Sequence, residues 1–378
     1  MPADALVSAA ELSAEFTHWL TANRARATEL SDAALRPAPA LDYLAAQKAL
    51  QSWLHDEGWL ARGWPKEYGG TGNDVGLRAA IYDLLGAADI TVPTTVNIVE
   101  ILAPTLRRFA PGLAERMLPP LVAGAEAWCQ GFSEPEAGSD LASLRMRATR
   151  TGEGWSLTGQ KIWSTRAAGA DRCTVLVRTG SPESRHRGLS MFLVDMDTPG
   201  VQCRPIDDMS FTQHFGEIFF DDVRIPDERR IGEVDGGWAV AQYLLQWERG
   251  MFAWLRQAAL LGMLRRLPEA DDPGYGAAYQ DVIALRLRSL GTLRALSAGR
   301  SDGPQVSIDK LLLSRAERSV HELAHRIQPV GVDDATADWE GRVHEYLHSR
   351  SAPIYGGSAE IQRTIIATQI LQLGREAR

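Results

Sequence analysis

Apolar positions between residue 5 and about residue 125 return at helical spacing, as in Leu44, Leu50 and Leu54 and again in Ile81, Leu84 and Leu85. Clusters of Pro and Gly separate these runs, and together they predict a helical first domain over residues 1–125. The stretch Gly63-Trp64-Pro65-Lys66-Glu67-Tyr68-Gly69-Gly70-Thr71-Gly72 interrupts the period, and its glycines and proline predict an ordered loop. From 126 to 233 the pattern becomes short β-branched or alternating runs, including residues 173–177, 190–194 and 217–220, divided by Gly, Pro and Asp. That predicts a small sheet domain. After Asp235-Gly236-Gly237 the helical period resumes near 238–267, 277–298, 306–327, 338–350 and 359–372, predicting a bundle over 234–378. The expected fold is mainly α with a central β domain.

Composition narrows the function classes. The 378 residues are 45% hydrophobic and 23% charged, ordinary for a globular chain able to bury a core. A formal net charge of −8 argues against general nucleic-acid binding, which calls for a basic surface. Cys129, Cys173 and Cys203 form no closely spaced pair, so neither a metal knuckle nor a disulfide framework is expected. The early acidic residues Asp4, Glu11 and Glu15 do not fit a secretory signal, and no apolar run reaches bilayer length. A cytoplasmic protein without membrane insertion is expected.

Three segments carry candidate chemistry. Gly131-Phe132-Ser133-Glu134-Pro135-Glu136-Ala137-Gly138-Ser139-Asp140 gathers small residues, hydroxyls and a turn-forming glycine, suited to donors around an anionic or carbonyl-rich ligand and equally compatible with an ordinary loop. Gly159-Gln160-Lys161-Ile162-Trp163-Ser164-Thr165 puts an indole and two hydroxyls at a strand end, which suits a flat heteroaromatic cofactor or a packed sheet core. His321-Glu322-Leu323-Ala324-His325 matches the two-histidine helix pattern of zinc peptidases, with Glu340 or Glu345 as a third ligand. The segment lies in an ordinary amphipathic helix, and no metal is expected there.

The first two segments recur with Asp221-Asp222-Val223-Arg224-Ile225-Pro226, Glu248-Arg249-Gly250 and the closing Gly356-Gly357-Ser358-Ala359-Glu360-Ile361-Gln362-Arg363. In that order, over nearly the whole chain, the sequence resembles the acyl-CoA dehydrogenases. The resemblance implies a helical domain, a β-barrel-like domain and a helical bundle, with FAD at the junction of sheet and bundle. It implies FAD-dependent α,β-dehydrogenation of an acyl thioester on coenzyme A or a carrier protein, with an oxidase or monooxygenase on the same fold as the alternative. By the same resemblance Phe132, Ser133, Trp163, Ser164 and Thr165 would hold the flavin and its pyrophosphate, with Thr165 near flavin N5. Ser358 and Glu360 would contact FAD, Ser139 the acyl-CoA, and Gly357 would lie beside the thioester, with Arg249 as a further substrate contact. The Gly356 N–H and a ribityl hydroxyl would polarise the thioester carbonyl.

Many members carry the catalytic glutamate directly after the tyrosine of the closing motif, where this chain has Gly356. A second branch, including isovaleryl-CoA and long-chain dehydrogenases, carries it on the first long helix of the last domain, and Glu248 stands at the matching position. Glu248 shares helical spacing with Leu244, Leu245, Met251, Phe252 and Leu255, so its carboxylate is expected on a largely apolar face. Desolvation there would raise its pKa and suit it to proton abstraction.

Two family segments are missing. No R-x-x-F-G follows the Glu248 helix, where the chain reads Asp271-Asp272-Pro273-Gly274-Tyr275-Gly276, and no Q-x-x-G-G-x-G precedes the closing motif, where it reads Gln328-Pro329-Val330-Gly331-Val332. In many members those segments reach FAD across a subunit interface. The resemblance implies a homotetramer with electron-transfer flavoprotein as oxidant, and the missing segments resemble a bacterial branch in which some members are mixed-subunit tetramers. Pocket shape is expected to depend on Trp247, Phe252, Trp254 and the loop near Tyr68.

Overall fold

The computed structural model describes residues 9–209, 213–269, 271–300, 303–329 and 337–374. Val330, Gly331, Val332 and the Glu340 side chain lie outside the described residues, as do the outer ends of the first and last predicted spans. Five helices come first: α1 (Ala9–Leu35), α2 (Ala40–Asp56), α3 (Val75–Ala87), α4 (Thr94–Phe109) and α5 (Pro111–Val122). The Asp74 carboxylate starts α3 by accepting from the Leu77 amide at 3.0 Å, satisfying one of the helix's unpaired donors. The ordered loop over residues 63–72 is pinned by the same helix. Arg78 of α3 donates to the Gly63 carbonyl at 2.6 Å, forms a buried pair with Glu100 at 2.7 Å, and lies 3.9 Å from the Trp64 ring centroid. At Gly63, with φ +76°, an added Cβ would press on the Asp74 carbonyl and the Arg78 side chain, so only glycine fits.

Eight strands follow: β1 (Trp128–Gly131), β2 (Arg147–Thr151), β3 (Gly154–Thr165), β4 (Arg172–Arg178), β5 (Leu189–Asp195), β6 (Val201–Ile206), β7 (Phe215–Pro226) and β8 (Arg230–Ile231). They form one sheet in the order β6-β7-β3-β2-β4-β5-β8, with β1 parallel to β4. The long pair β3–β7 slips register between Lys161 and Ser164, a bulge that matters for the site.

The last part is α6 (Gly237–Arg266), α7 (Gly274–Ser297), α8 (Val306–Ile327), α9 (Ala337–Ser349) and α10 (Ala359–Ile365). A longer final helix is predicted from the sequence; instead α10 widens into a π turn over Ile366–Ile370. The 30-residue α6 is the axis of the molecule. Its Val240, Ala241 and Leu244 pack with the sheet and α4, its Trp247, Met251, Trp254 and Leu255 with α1–α3, and its Ala253, Leu260, Leu261 and Leu264 with α7 and α8. A helix clamped by three cores holds any polar side chain it carries in one place.

Candidate active site

One cleft of about 2030 Å³ runs between the first helices, the end of the sheet and the bundle. Its sheet wall is built around a buried ion pair. Lys161, fully buried on β3, donates to Glu134 at 2.8 Å and to the Phe132 carbonyl at 3.1 Å, and Glu134 also accepts from the Arg145 and Met146 amides. Burial draws the Lys161 ammonium down to about 8 against the pull of Glu134. The Ile162 amide donates to the Ser133 carbonyl at 2.9 Å, locking the 131–140 loop beside the strand. At the bulge Trp163 takes φ +59°, which turns its indole out of the sheet to stand 55% exposed in the cleft. Thr165, two residues on, shares that wall, whereas Ser164 faces the sheet interior, its hydroxyl buried without a partner.

The opposite wall carries Glu248. Leu244, Met251 and Leu255 are buried along its face of α6, and Leu245 and Phe252 are partly buried. Among the described residues no hydrogen bond or contact ion pair engages the carboxylate. Burial raises its pKa, opposed by the nearby charges of Arg249 and Lys310. The turn after α9 brings Gly356 against it: a Cβ on Gly356, which sits at φ +62°, would lie 3.1 Å from Glu248 Oε1. Arg249 Nε donates to the Gly356 carbonyl at 3.4 Å, and a Cβ on Gly357 would lie 3.3 Å from Arg249 Nη2. Among the described residues none accepts from the Gly356 amide.

Of the residues expected at the site, Phe132, Ser133, Ser139, Trp163, Thr165, Glu248, Arg249, Gly356, Gly357 and Ser358 line this one cleft. Two side chains do not. Ser164 is turned inward by the phase shift at the bulge, which puts it on the same buried side as Lys161. Glu360 points to solvent and pairs with Arg363 at 3.4 Å, because the turn of α10 that puts Ser358 and Ile361 on the cleft puts residue 360 on the far side. Ser358 itself caps α10, accepting from the Ile361 amide. Of the residues on whose packing the pocket shape is expected to depend, Phe252 lines the cleft, and Trp247, Trp254 and Tyr68 are buried in the cores behind it.

The histidine pair of α8 is occupied elsewhere. His321 is buried against Glu317 at 3.4 Å and Glu345 at 3.8 Å, His325 stacks on Tyr346 with centroids 4.9 Å apart, and Glu322 pairs with Arg350 at 2.7 Å. Among the described residues no group of three or more His, Cys, Asp or Glu side chains could hold a metal ion. Glu317 and Glu345 serve Arg256 instead, and its guanidinium holds both carboxyls well below the usual range despite their burial.

A second histidine group escapes the sequence reading. His214, at the foot of β7, meets His348 of α9 with centroids 4.6 Å apart, and His348 stacks over Tyr355 at 6.0 Å. Burial lowers both, His348 to about 4. The His348 ring folds neutral, so the stability it contributes is complete above pH 6.5 and is lost as pH falls from there through 4, and His214 acts in the same direction. The loss expected for His348 is up to about 3 kcal/mol. Unfolding followed between pH 7 and 4 should show a smaller loss in His348→Gln than in the parent; equal losses would exclude this source.

Three family models match in sequence: the N-terminal domain of acyl-CoA dehydrogenases over 21–125, the middle domain over 129–223 and the C-terminal domain over 276–371. The chain belongs to the acyl-CoA dehydrogenase family. It is therefore an FAD-dependent oxidoreductase that dehydrogenates an acyl thioester between its α and β carbons. Among its relatives, acyl-CoA dehydrogenase IpdE1 of Mycobacterium tuberculosis is 36% identical over 385 residues, covering 97% of this chain and 98% of the relative. The solved ChsE4-ChsE5 complex from the same organism contains a chain with TM-score 0.77 and 25% identity, covering 99% of this chain and 100% of that one. A chain of the Tcur3481-Tcur3483 steroid acyl-CoA dehydrogenase shares the fold at TM-score 0.84 and 24% identity over the full length of both. Among the described residues no helix is long and apolar enough to cross a membrane.

Proposed function

We propose that Glu248 removes the α-proton of the bound acyl thioester. The observation that carries this reading is the 3.1 Å between its Oε1 and the position a side chain on Gly356 would enter. The family carries its carboxylate at either of two sequence positions, and here the two converge on one point in space. An unpaired carboxylate in a desolvated wall is a strong base once substrate excludes water. The free Gly356 N–H polarises the thioester carbonyl and so stabilises the charge that builds on its oxygen as the proton leaves. Gly357 and Arg249 border the thioester, with Ser139 nearer the carrier.

FAD fits the opposite wall: the exposed indole of Trp163 offers a ring-sized apolar face, and the side chains of Phe132, Ser133 and Thr165 open onto the same space. FAD, when bound, accepts the β-hydride. Ser358 lies farther along, and Ser164 and Glu360 contribute through backbone or at the cofactor's outer end. Part of the FAD contact comes from a second subunit, for which the exposed Ile354 on the cleft, and Leu371 and Leu373 past the end of α10, offer apolar surface. A homotetramer oxidised by electron-transfer flavoprotein is the first reading, and the two-chain composition named for two similar structures supports a mixed tetramer as the second.

Purified protein should be yellow with about one FAD per active site, and anaerobic mixing with the right member of an acyl-CoA panel should bleach the flavin and yield the 2-enoyl product. Colourless protein with stoichiometric zinc and peptidase activity lost in His321→Ala would overturn the reading. Sedimentation of the chain alone and with a candidate second subunit separates the assemblies: FAD retained only in the mixture means a mixed tetramer.

A further inference from the structure

Lys310 is one of four lysines in the chain, and it is buried behind the Gly356 turn. Its place in α8 is unusual. Val306, Lys310, Leu313, Glu317, Val320 and Ala324 follow helical spacing along a buried face, so an ammonium occupies a position where the pattern calls for an apolar side chain. Nζ donates to the Ala352 carbonyl at 2.7 Å, the Ser314 hydroxyl donates to the same carbonyl at 2.8 Å, and Nζ stands 3.7 Å from the Tyr355 ring centroid. Lys310 Nζ and Glu248 Oε1 flank one point, 3.9 Å and 3.1 Å from where a Cβ on Gly356 would stand.

We propose that Lys310 is a positioning residue for proton abstraction: its ammonium fixes the Ala352–Gly357 turn that presents the Gly356 N–H and sets the charge state of Glu248. The inference rests on Glu248 being the base. A cation buried this close to a carboxylate favours the ionised carboxylate, the form that can take a proton. The other charged or titratable groups around the pair are Arg249 and Arg256 of α6, Glu317 of α8, Glu345 and His348 of α9, and Tyr355 of the turn. Arg249 adds to the effect of Lys310 on Glu248. Arg256 is committed to Glu317 and Glu345. Burial draws Lys310 itself down to about 7, partly restored by Glu248 and Glu317. Its charge is thus sustained in part by the carboxylate it serves.

The experiment is the pH profile of flavin reduction at saturating thioester in FAD-loaded parent, Lys310→Arg and Lys310→Met. The rate should rise with pH as Glu248 ionises. Without the cation Glu248 holds its proton to higher pH, so in Lys310→Met the acid limb should move up by about one pH unit or more. Lys310→Arg should keep the parent's limb. If Lys310→Met does not accumulate as a flavoprotein, Lys310→Gln, which can still donate to Ala352, carries the test. An acid limb unmoved in the neutral variant while Glu248→Gln is inactive overturns the role of Lys310 alone. Parental rates in Glu248→Gln overturn the base assignment instead.

Discussion

Glu248→Gln is expected to slow flavin reduction by the true substrate by roughly 10²–10⁴, the contribution of a positioned general base. The exchange keeps shape and hydrogen-bonding capacity but removes the proton acceptor, and α6 is clamped by cores on several sides, so the fold should be untouched. FAD content and thioester binding should remain at parental levels. The effect belongs in the rate of reduction rather than in binding, because the lost interaction forms only as the proton moves. Adding Gly356→Glu to this variant is a stringent control. Its Cβ would enter 3.1 Å from residue 248, but the backbone there sits at φ +62°, a conformation that costs a non-glycine residue on the order of 1 kcal/mol. Partial recovery of rate is therefore expected, not full recovery. A Glu248→Gln enzyme that reduces at the parental rate would assign the base to another group, including one from a second subunit.

The fold was legible because each element keeps one period and Gly or Pro punctuates the change, as at Asp235-Gly236-Gly237 before α6. Gly237 is needed there for a further reason: a Cβ would lie 2.6 Å from the Ser190 backbone of β5, where α6 crosses the sheet. The expectation at Glu248 rests on the resemblance to the family's second branch, and a carboxylate on an apolar stripe is a local anomaly that agrees with it. Lys310 breaks the α8 stripe in the same way, yet its meaning depends on the turn that folds over it from forty residues downstream. What stayed hidden was set by geometry that no spacing encodes. The bulge that exposes Trp163 and turns Ser164 inward is a mismatch between two strands, and the meeting of His214 with His348 joins the sheet to the bundle. Trp247 and Trp254 share a helix with Glu248, but about a third of a turn of rotation separates the cleft wall from the core behind it.

Glu134→Ala is expected to produce the largest loss of stability among the site variants, about 3–5 kcal/mol, because it leaves the Lys161 ammonium buried without its counter-charge. Glu134 also accepts from the Arg145 and Met146 amides, so its removal frees two further donors and loosens the loop that carries Phe132, Ser133 and Ser139. FAD retention should fall with stability. The pH dependence identifies the cause. Lys161 has its folded-state pKa depressed to about 8, and loss of Glu134 would depress it further. The variant's deficit should therefore widen as pH falls below 8 and narrow toward pH 9, where the parent lysine is itself losing its proton. Glu134→Ala combined with Lys161→Met removes the stranded charge and should recover part of the loss, since an apolar side chain tolerates that site better than an unpaired ammonium. Thermal unfolding of the parent, the single variant and the double variant at pH 6 and pH 9 gives the answer. A single variant within about 1 kcal/mol of the parent, or a double variant no more stable than the single one at pH 6, would mean that the pair does not hold the cofactor wall in place.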